Sequence, residues 1–420
     1  MSQAKHPPHL HPETDVLTRG FDPSLSVGSA RPAVFRSSTY VFSSPEAAER
    51  AFDIMGGRAQ RTPEESVDLV YSRFNHPNAQ ILEEQILPLE PGATSAAVFN
   101  SGMAAIMTAL LAVLKPGDSI LYTVPIYGGT QTLIQGFLQP FGIDALAIPA
   151  GQTEMLDQAI RTTPNLRVVL IETPANPTII MTDIKRACDT AARPHSEAAT
   201  RPLVMIDNTF LGPAFQHPLA LGADVSLYSA TKYLGGYSDI IGGVALAKDQ
   251  ALMNKIKSKR SLFGNILQPD ECWILNTRLP TVSLRMNRQS KNAQRIAERL
   301  ARHPKIRKVY YPTLFDDAEQ IRIYREQCDH PGGLVSLDLH GGKQAAFDLL
   351  RHLQLARNAV SLGGVETLAC HPRSTTHSAW SAQDLDEGGI SEGFVRVSCG
   401  IEDWEDLLTD FEQALAQIKS

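Results

Sequence analysis

The chain is 420 residues long, about two to three domains at roughly 150 residues each, and long enough for a large buried core. Its 39 Lys and Arg against 45 Asp and Glu give a net charge of −6, which offers no basic field to a phosphate backbone or an anionic lipid surface, so neither nucleic acid nor membrane is an expected partner. Hydrophobic residues at 43% and charged residues at 20%, with 27 Pro and 29 Gly in no repeating period, exclude a disordered or collagen-like chain.

Met1 to Asp15 is polar and rich in His and Pro, with no apolar run behind a basic segment, so no secretory signal is expected and the chain is expected in the cytoplasm. Residues 1–75 lack regular periodicity and read as an extended N-terminal arm, with Gly56 to Asp68 as a polar exposed loop. From about Ala96 to Ala247, short β-rich runs alternate with helical patterns, which predicts crossover units on a mainly parallel sheet. Ala96 to Phe99 reads as the first strand and Asn100 to Gly102 as a turn. Met103, Ile106, Met107, Leu110, Leu111 and Leu114 then fall on one face of a helix. Further strands are expected at Ser119 to Val124, Leu166 to Ile171, Leu203 to Ile206 and Val225 to Tyr228. No apolar stretch reaches the roughly 18 residues of a membrane helix; Met103 to Leu114 is stopped by Lys115, Pro116 and Gly117. After about Asn276 the pattern changes to long amphipathic helices (Asn287 to Leu300, Gln344 to Leu353, Asp403 to Ile418), with strands expected at Gly333 to Leu339 and Gly393 to Ser398. The predicted organisation is an arm (1–75), an α/β domain (76–275) and a smaller α+β domain (276–420). Five scattered cysteines without a CxxC pattern fit reduced thiols.

The segment Ser229-Ala230-Thr231-Lys232 follows a buried strand and precedes a glycine pair. A lysine among small hydroxyls at a strand end can form a Schiff base while the hydroxyls hold a phosphate; it can equally be a surface lysine in a turn. Asp207 ends another strand, where it is either a turn cap or the carboxylate that a pyridoxal phosphate (PLP) ring needs at its nitrogen. Ser101, Gly102 and Met103 open the first helix and are either a plain cap or a phosphate site built on free N–H groups and the helix dipole. Tyr127 follows a strand and is either a ring that stacks on a heteroaromatic group or a core aromatic. Cys370, His371 and His377 cluster in sequence, but no second ligand pair is spaced to complete a tetrahedral site, and no metal is expected.

Taken in order, Tyr71-Ser72-Arg73, Ser101-Gly102-Met103, Tyr127-Gly128-Gly129, Glu172 to Pro177, Asp207-Asn208-Thr209, Ser229 to Lys232, Ser361 to Gly364, His371-Pro372 and Arg396 to Asp403 resemble the cysteine/methionine-metabolism PLP-dependent enzymes, which include cystathionine γ-synthase, cystathionine γ-lyase and methionine γ-lyase. The resemblance spans about Gly20 to the C-terminus. It implies the aminotransferase-like fold (type I) and PLP as cofactor. By position, it makes Lys232 the residue that bonds the cofactor and later moves the substrate's proton. It places Asp207 at the ring nitrogen and Tyr127 on the ring, and Gly102, Met103, Ser229 and Thr231 around the phosphate. Tyr71 and Arg73 would reach the phosphate of a neighbouring subunit in a homotetramer, a dimer of dimers with shared active sites. Asn176, Ser361 and Arg396 would orient a small amino-acid substrate, Arg396 by forked contact with its carboxylate.

The sequence also departs from that pattern. His76 and Asn78 stand in Tyr71 to Asn78 where relatives usually have Asn and Thr, Gly129 stands where methionine γ-lyases typically carry Cys, and Arg373 stands where a small residue is common. These four residues suggest a substrate with a polar tail beyond Cγ. The expected reaction is elimination of a sulfur- or oxygen-linked group from Cγ of an L-homocysteine- or L-homoserine-type amino acid, cystathionine or canavanine among them. The alternative is γ-replacement, as in cystathionine γ-synthase or O-acylhomoserine sulfhydrylase, and loss from Cβ is a third outcome. A nicotinamide dehydrogenase would need a GxGxxG after a strand, which is not found, and a non-catalytic relative would be expected to lack Lys232 or Asp207.

Overall fold

Alternation of side chains along the strands sorts the apolar residues onto two sides. In a computed structural model, which describes residues 10–62, 69–193 and 201–418, Ala96, Val98, Val169, Ile171, Val204 and Ile206 join one core, while Ala97, Phe99, Val168, Leu170, Met205 and Leu227 join another. Both faces of one sheet are therefore covered, as buried parallel strands require. The strands are β1 (Ser95–Phe99), β2 (Ser119–Val124), β3 (Asp144–Pro149), β4 (Leu166–Glu172), β5 (Leu203–Asp207), β6 (Val225–Ser229) and β7 (Gly243–Ala247), ordered β1-β7-β6-β5-β4-β2-β3. All are parallel except β7, which runs against both of its neighbours.

A second sheet contains β8 (Ile306–Tyr310), β9 (Leu334–Leu339), β10 (Arg357–Asn358), β11 (Leu368–Cys370) and β12 (Phe394–Ser398), ordered β10-β11-β12-β9-β8. Helices Val282–Leu300, Gly342–His352 and Trp404–Gln417 cover it, burying Ile296, Leu300, Leu349, Leu407 and Phe411 against Val335, Leu337 and Val397. The chain thus has a mixed α/β sheet of seven strands and a smaller α+β unit.

Two expectations are corrected. The arm is not irregular throughout, because helix Pro45–Met55 forms in it. Ser44 caps that helix by accepting the Ala47 N–H at 3.1 Å, and Pro45 opens it. The first crossover helix, Gly102–Leu111, buries Ala104, Ala105, Ile106, Ala109 and Leu110, whereas Met103, Met107 and Leu111 are only partly buried. Small alanines let the helix lie close on β6 and β7, so close approach rather than bulk selects its inner face. Residues 1–9 of the polar start and 63–68 of the expected exposed loop lie outside the described residues. Among the described residues no helix is long and apolar enough to cross a membrane.

Candidate active site

The carboxyl ends of β4, β5 and β6 present Glu172, Asp207 and Ser229, the edge at which open α/β sheets bind ligands. Glu172 and Asp207 are paired in register across two parallel strands, so both side chains leave the same face. Asp207 Oδ1 accepts two hydrogen bonds from Thr209, from N at 3.1 Å and from Oγ1 at 2.6 Å, and no hydrogen bond among the described residues engages Oδ2. Burial pushes the Asp207 carboxyl above its usual range against the pull of those bonds, the setting in which a carboxylate gains most from a cationic ring nitrogen.

Lys232 stands in the turn after β6. Its Nζ donates to Ser361 Oγ at 3.0 Å, and burial, then the nearby Arg396 charge, push its amine down to about 8. A depressed amine is neutral more of the time near neutral pH, the form that attacks a carbonyl and accepts protons. Arg396, on β12, is buried; it donates from Nη1 to Asn176 Oδ1 at 3.0 Å and from Nη2 to the carbonyls of Val360 at 2.7 Å and Ser361 at 3.1 Å. Its Nε is buried without a partner. A guanidinium fixed on two nitrogens with a third left bare is suited to an incoming carboxylate.

At the phosphate end, Ser101 Oγ accepts the Ala104 N–H at 3.0 Å, leaving the N–H groups of Gly102 and Met103 at the mouth of a ten-residue helix. A Cβ on Gly102 would fall 2.8 Å from Ser229 Cβ, so only glycine lets this helix end sit beside the Ser229 hydroxyl. Thr231 is less free than expected: its hydroxyl is tied to Gly242, accepting from N at 3.1 Å and donating to O at 3.4 Å. Tyr127 is 44% exposed, which decides against a core aromatic.

Tyr71 and Arg73 are not joined to this cluster. Arg73 donates to Ser261 O at 2.7 Å and lies over Phe74, and no hydrogen bond or ring contact among the described residues links either residue to Lys232, Asp207, Ser229 or Gly102. Three of the four departures also prove structural, which corrects the expectation that they line a substrate mouth. His76 caps helix Pro77–Gln85, its Nδ1 accepting the Ala79 N–H at 3.2 Å and its Nε2 donating to Leu267 O at 2.9 Å. Asn78 fastens the arm, its Oδ1 accepting the Phe35 N–H at 2.9 Å and its Nδ2 donating to Ala33 O at 2.8 Å. Arg373 is pinned by Asp386, Glu392 and the Ile390 carbonyl. Gly129 alone is at the site, where a Cβ would fall 2.7 Å from Tyr127 Cε1 and 3.2 Å from Met103 Sδ.

Two residues at the site had no role read from the sequence. Glu172 accepts the Tyr127 N–H on Oε2 at 2.9 Å and the Asn176 N–H on Oε1 at 3.0 Å, while burial, then the Asp207 charge, push its carboxyl well above the usual range. His377 is fully buried, its Nε2 facing Asn176 O at 3.1 Å and its Nδ1 facing Thr376 Oγ1 at 2.9 Å. Both partner backbone atoms, for which a sequence carries no signal. Among the described residues no three His, Cys, Asp or Glu side chains cluster to hold a metal.

A strand-end lysine with a depressed amine, a buried aspartate with an open oxygen and a helix mouth beside a serine are the groups a PLP site needs, and the bare Arg396 Nε and the Gly102 cradle fit the bound cofactor with its substrate. The Cys/Met metabolism PLP-dependent enzyme model matches residues 13–416, and the chain belongs to that family. It is 36% identical to the L-methionine γ-lyase of Pseudomonas putida over 404 residues, 96% of each chain. It is 38% identical to the cystathionine β-lyase MetC of Bacillus subtilis over 348 residues, 83% of this chain and 86% of that one. Among solved structures, the cystathionine γ-synthase of Xanthomonas oryzae pv. oryzae in complex with cystathionine superposes with a TM-score of 0.86 at 31% identity, covering 97% of this chain and 98% of the other. The chain is therefore a PLP-dependent enzyme of fold type I.

Proposed function

We propose that this enzyme is a lyase that eliminates a sulfur- or oxygen-linked group from Cγ of an L-homocysteine- or L-homoserine-type amino acid, consuming water and yielding 2-oxobutanoate, ammonia and the protonated leaving group, a thiol, a carboxylic acid or an N-hydroxy compound. Bound through Lys232, PLP supplies an electron sink for the bonding pairs released at Cα and Cβ. Lys232 Nζ, held at 3.0 Å by Ser361 Oγ, takes the Cα proton and, on its flexible stem, is the group that delivers a proton onward. Arg396 Nε receives the substrate carboxylate while Asn176, Val360 and Ser361 fix the remainder of the guanidinium. Asp207 would keep the ring nitrogen positive and Tyr127 would cover the ring, while Gly102, Met103 and Ser229 would hold the phosphate, joined by Thr231 once its hydroxyl is released from Gly242. Tyr71 and Arg73 would complete a neighbouring subunit's phosphate site in a homotetramer.

The single observation that carries the chemistry is Lys232 Nζ, depressed to about 8 and within hydrogen-bond reach of Ser361. Elimination rather than replacement is supported by the relatives at 36–38% identity named as lyases, the γ-lyase of P. putida and the β-lyase of B. subtilis among them. The likeness to a γ-synthase at 31% identity favours γ-replacement as the second reading. The holoenzyme should be assayed with L-methionine, L-cystathionine, an O-acyl homoserine and canavanine, each with and without an added thiol. 2-Oxobutanoate and ammonia at rates unmoved by thiol are expected; a thioether as main product would replace the lyase reading by the transferase. Glycine at 129 lets Tyr127 and Met103 close in where a Cβ would fall 2.7 Å and 3.2 Å from them, and the cysteine typical of methionine γ-lyases is absent; kcat/KM for a polar tail such as that of cystathionine should exceed that for methionine by about tenfold, equal to roughly 1.4 kcal/mol.

A further inference from the structure

Asn176 is held at every polar backbone atom. Its N–H donates to Glu172 Oε1 at 3.0 Å, its carbonyl faces His377 Nε2 at 3.1 Å, and its side-chain Oδ1 accepts from Arg396. The other oxygen of Glu172 accepts the Tyr127 N–H at 2.9 Å. One carboxylate therefore bridges two loops that leave different strands, the one after β2 that carries Tyr127 and the one after β4 that carries Asn176. Around them the segment after β11 closes from the other side: the Thr376 carbonyl lies 2.6 Å from where a Cβ on Gly128 would be, so that glycine lets the segment rest on the Tyr127 loop. His377 and Glu172 are 0% and 4% exposed, so neither bond competes with water.

Burial and the neighbouring Arg396 charge push the His377 imidazole down to about 4, so it is neutral at any working pH. The Asn176 and Ile126 carbonyls both face the ring; with its one N–H on Nε2, the ring donates to Asn176 O and accepts the Thr376 hydroxyl at Nδ1. His377 is thus a fixed donor rather than a proton carrier.

We infer that Glu172 and His377 are positioning residues that clamp the Asn176 backbone from both sides, so that Asn176 and Arg396 meet the substrate carboxylate in one geometry, with Glu172 also setting Tyr127 over the cofactor ring. Neither touches the reacting atoms. This inference rests on the proposed placement of the substrate at Asn176 and Arg396, but not on whether elimination or replacement follows.

The test compares wild-type holoenzyme with Glu172→Gln, His377→Ala and His377→Gln. Glutamine at 172 keeps the shape but offers one acceptor where two N–H groups wait. Glutamine at 377 puts an N–H where Nε2 stood, and alanine removes it. Cofactor content is read from visible absorbance. Binding is read from the change in that absorbance on adding L-norleucine, which keeps the α-amino and carboxylate groups but has no leaving group. Glu172→Gln and His377→Ala should retain PLP, weaken norleucine at least tenfold and raise KM by a similar factor, while His377→Gln stays within about threefold of wild type. If Glu172→Gln does not fold, the two His377 variants carry the test. Wild-type norleucine affinity and KM in His377→Ala, or equal losses in His377→Ala and His377→Gln, would overturn the clamp. Because norleucine binding is measured without turnover, a wild-type enzyme that fails to eliminate leaves this result readable.

Discussion

The strand ends and the N-terminal arm carry residues of equal weight in the motif order, yet the chain treats them differently. Asp207, Glu172 and Lys232 are set by the sheet, each within a few residues of a strand whose register is fixed by neighbours on both sides. Tyr71 and Arg73 lie beyond an arm that is fastened at separate points, by Asn78 to Ala33 and Phe35 and by the Trp273 Nε1–H to Pro32 O at 2.9 Å. The strand-end residues are brought together within one chain. A site residue on an arm is placed by whatever the arm lies against, and under the proposed function Tyr71 and Arg73 would serve a second chain.

Breaking the strand-end half should have the largest effect. Lys232→Ala is expected to lower turnover by about three orders of magnitude or more, in the range that a positioned general base contributes, with the fold and some PLP binding retained. In the wild-type apoprotein the same amine should incorporate PLP faster as pH rises, levelling above about 8 where Nζ is neutral. Near-normal steady-state activity in the alanine variant would break the strand-end account. Asp207→Asn should lower kcat by about two orders of magnitude while cofactor content changes little, because an amide cannot hold the ring nitrogen positive. Wild-type kcat there would reduce Asp207 to a cap for Thr209.

The arm half is sharpened by mixing. Inactive Arg73→Ala chains exchanged with inactive Lys232→Ala chains should recover up to about a quarter of wild-type activity, since half of the random pairs are hybrids with one intact site of two. No recovery with subunit exchange verified would place Arg73 outside the partner's site. The smallest catalytic effect is expected at Asn78→Ala. Losing two hydrogen bonds to the arm should cost about 1–3 kcal/mol of stability, read as a lower midpoint of unfolding, and leave the ratio of kcat/KM for cystathionine over methionine within about twofold of wild type. A changed ratio would return Asn78 to the substrate mouth.

The same contrast governs what the sequence made legible. β2, a mostly apolar run, has the bounds its sequence predicts, and Lys232 and Asp207 lie at the strand ends expected of them. β3 has an apolar run of its own, Ala145 to Ile148, but lies mostly exposed at the sheet edge, and helix Pro45–Met55 is marked at its start by Ser44 and Pro45. Glu172 lay inside a quoted motif without a role, because its partners are main-chain N–H groups that look alike in every sequence. His76, Asn78 and Arg373 misled for the opposite reason: unusual polar residues drew attention, and their partners are a helix start, an arm and a loop rather than a substrate.

The central claim is that Lys232 bonds the cofactor between the Ser229 phosphate cup and Asp207. Purified protein loaded with PLP, reduced with borohydride, digested and mapped by mass spectrometry tests it most directly. A pyridoxyl label on the peptide at Lys232, with loss of the visible band, is the expected result. A label on any other lysine, or visible absorbance that borohydride does not bleach, would contradict it.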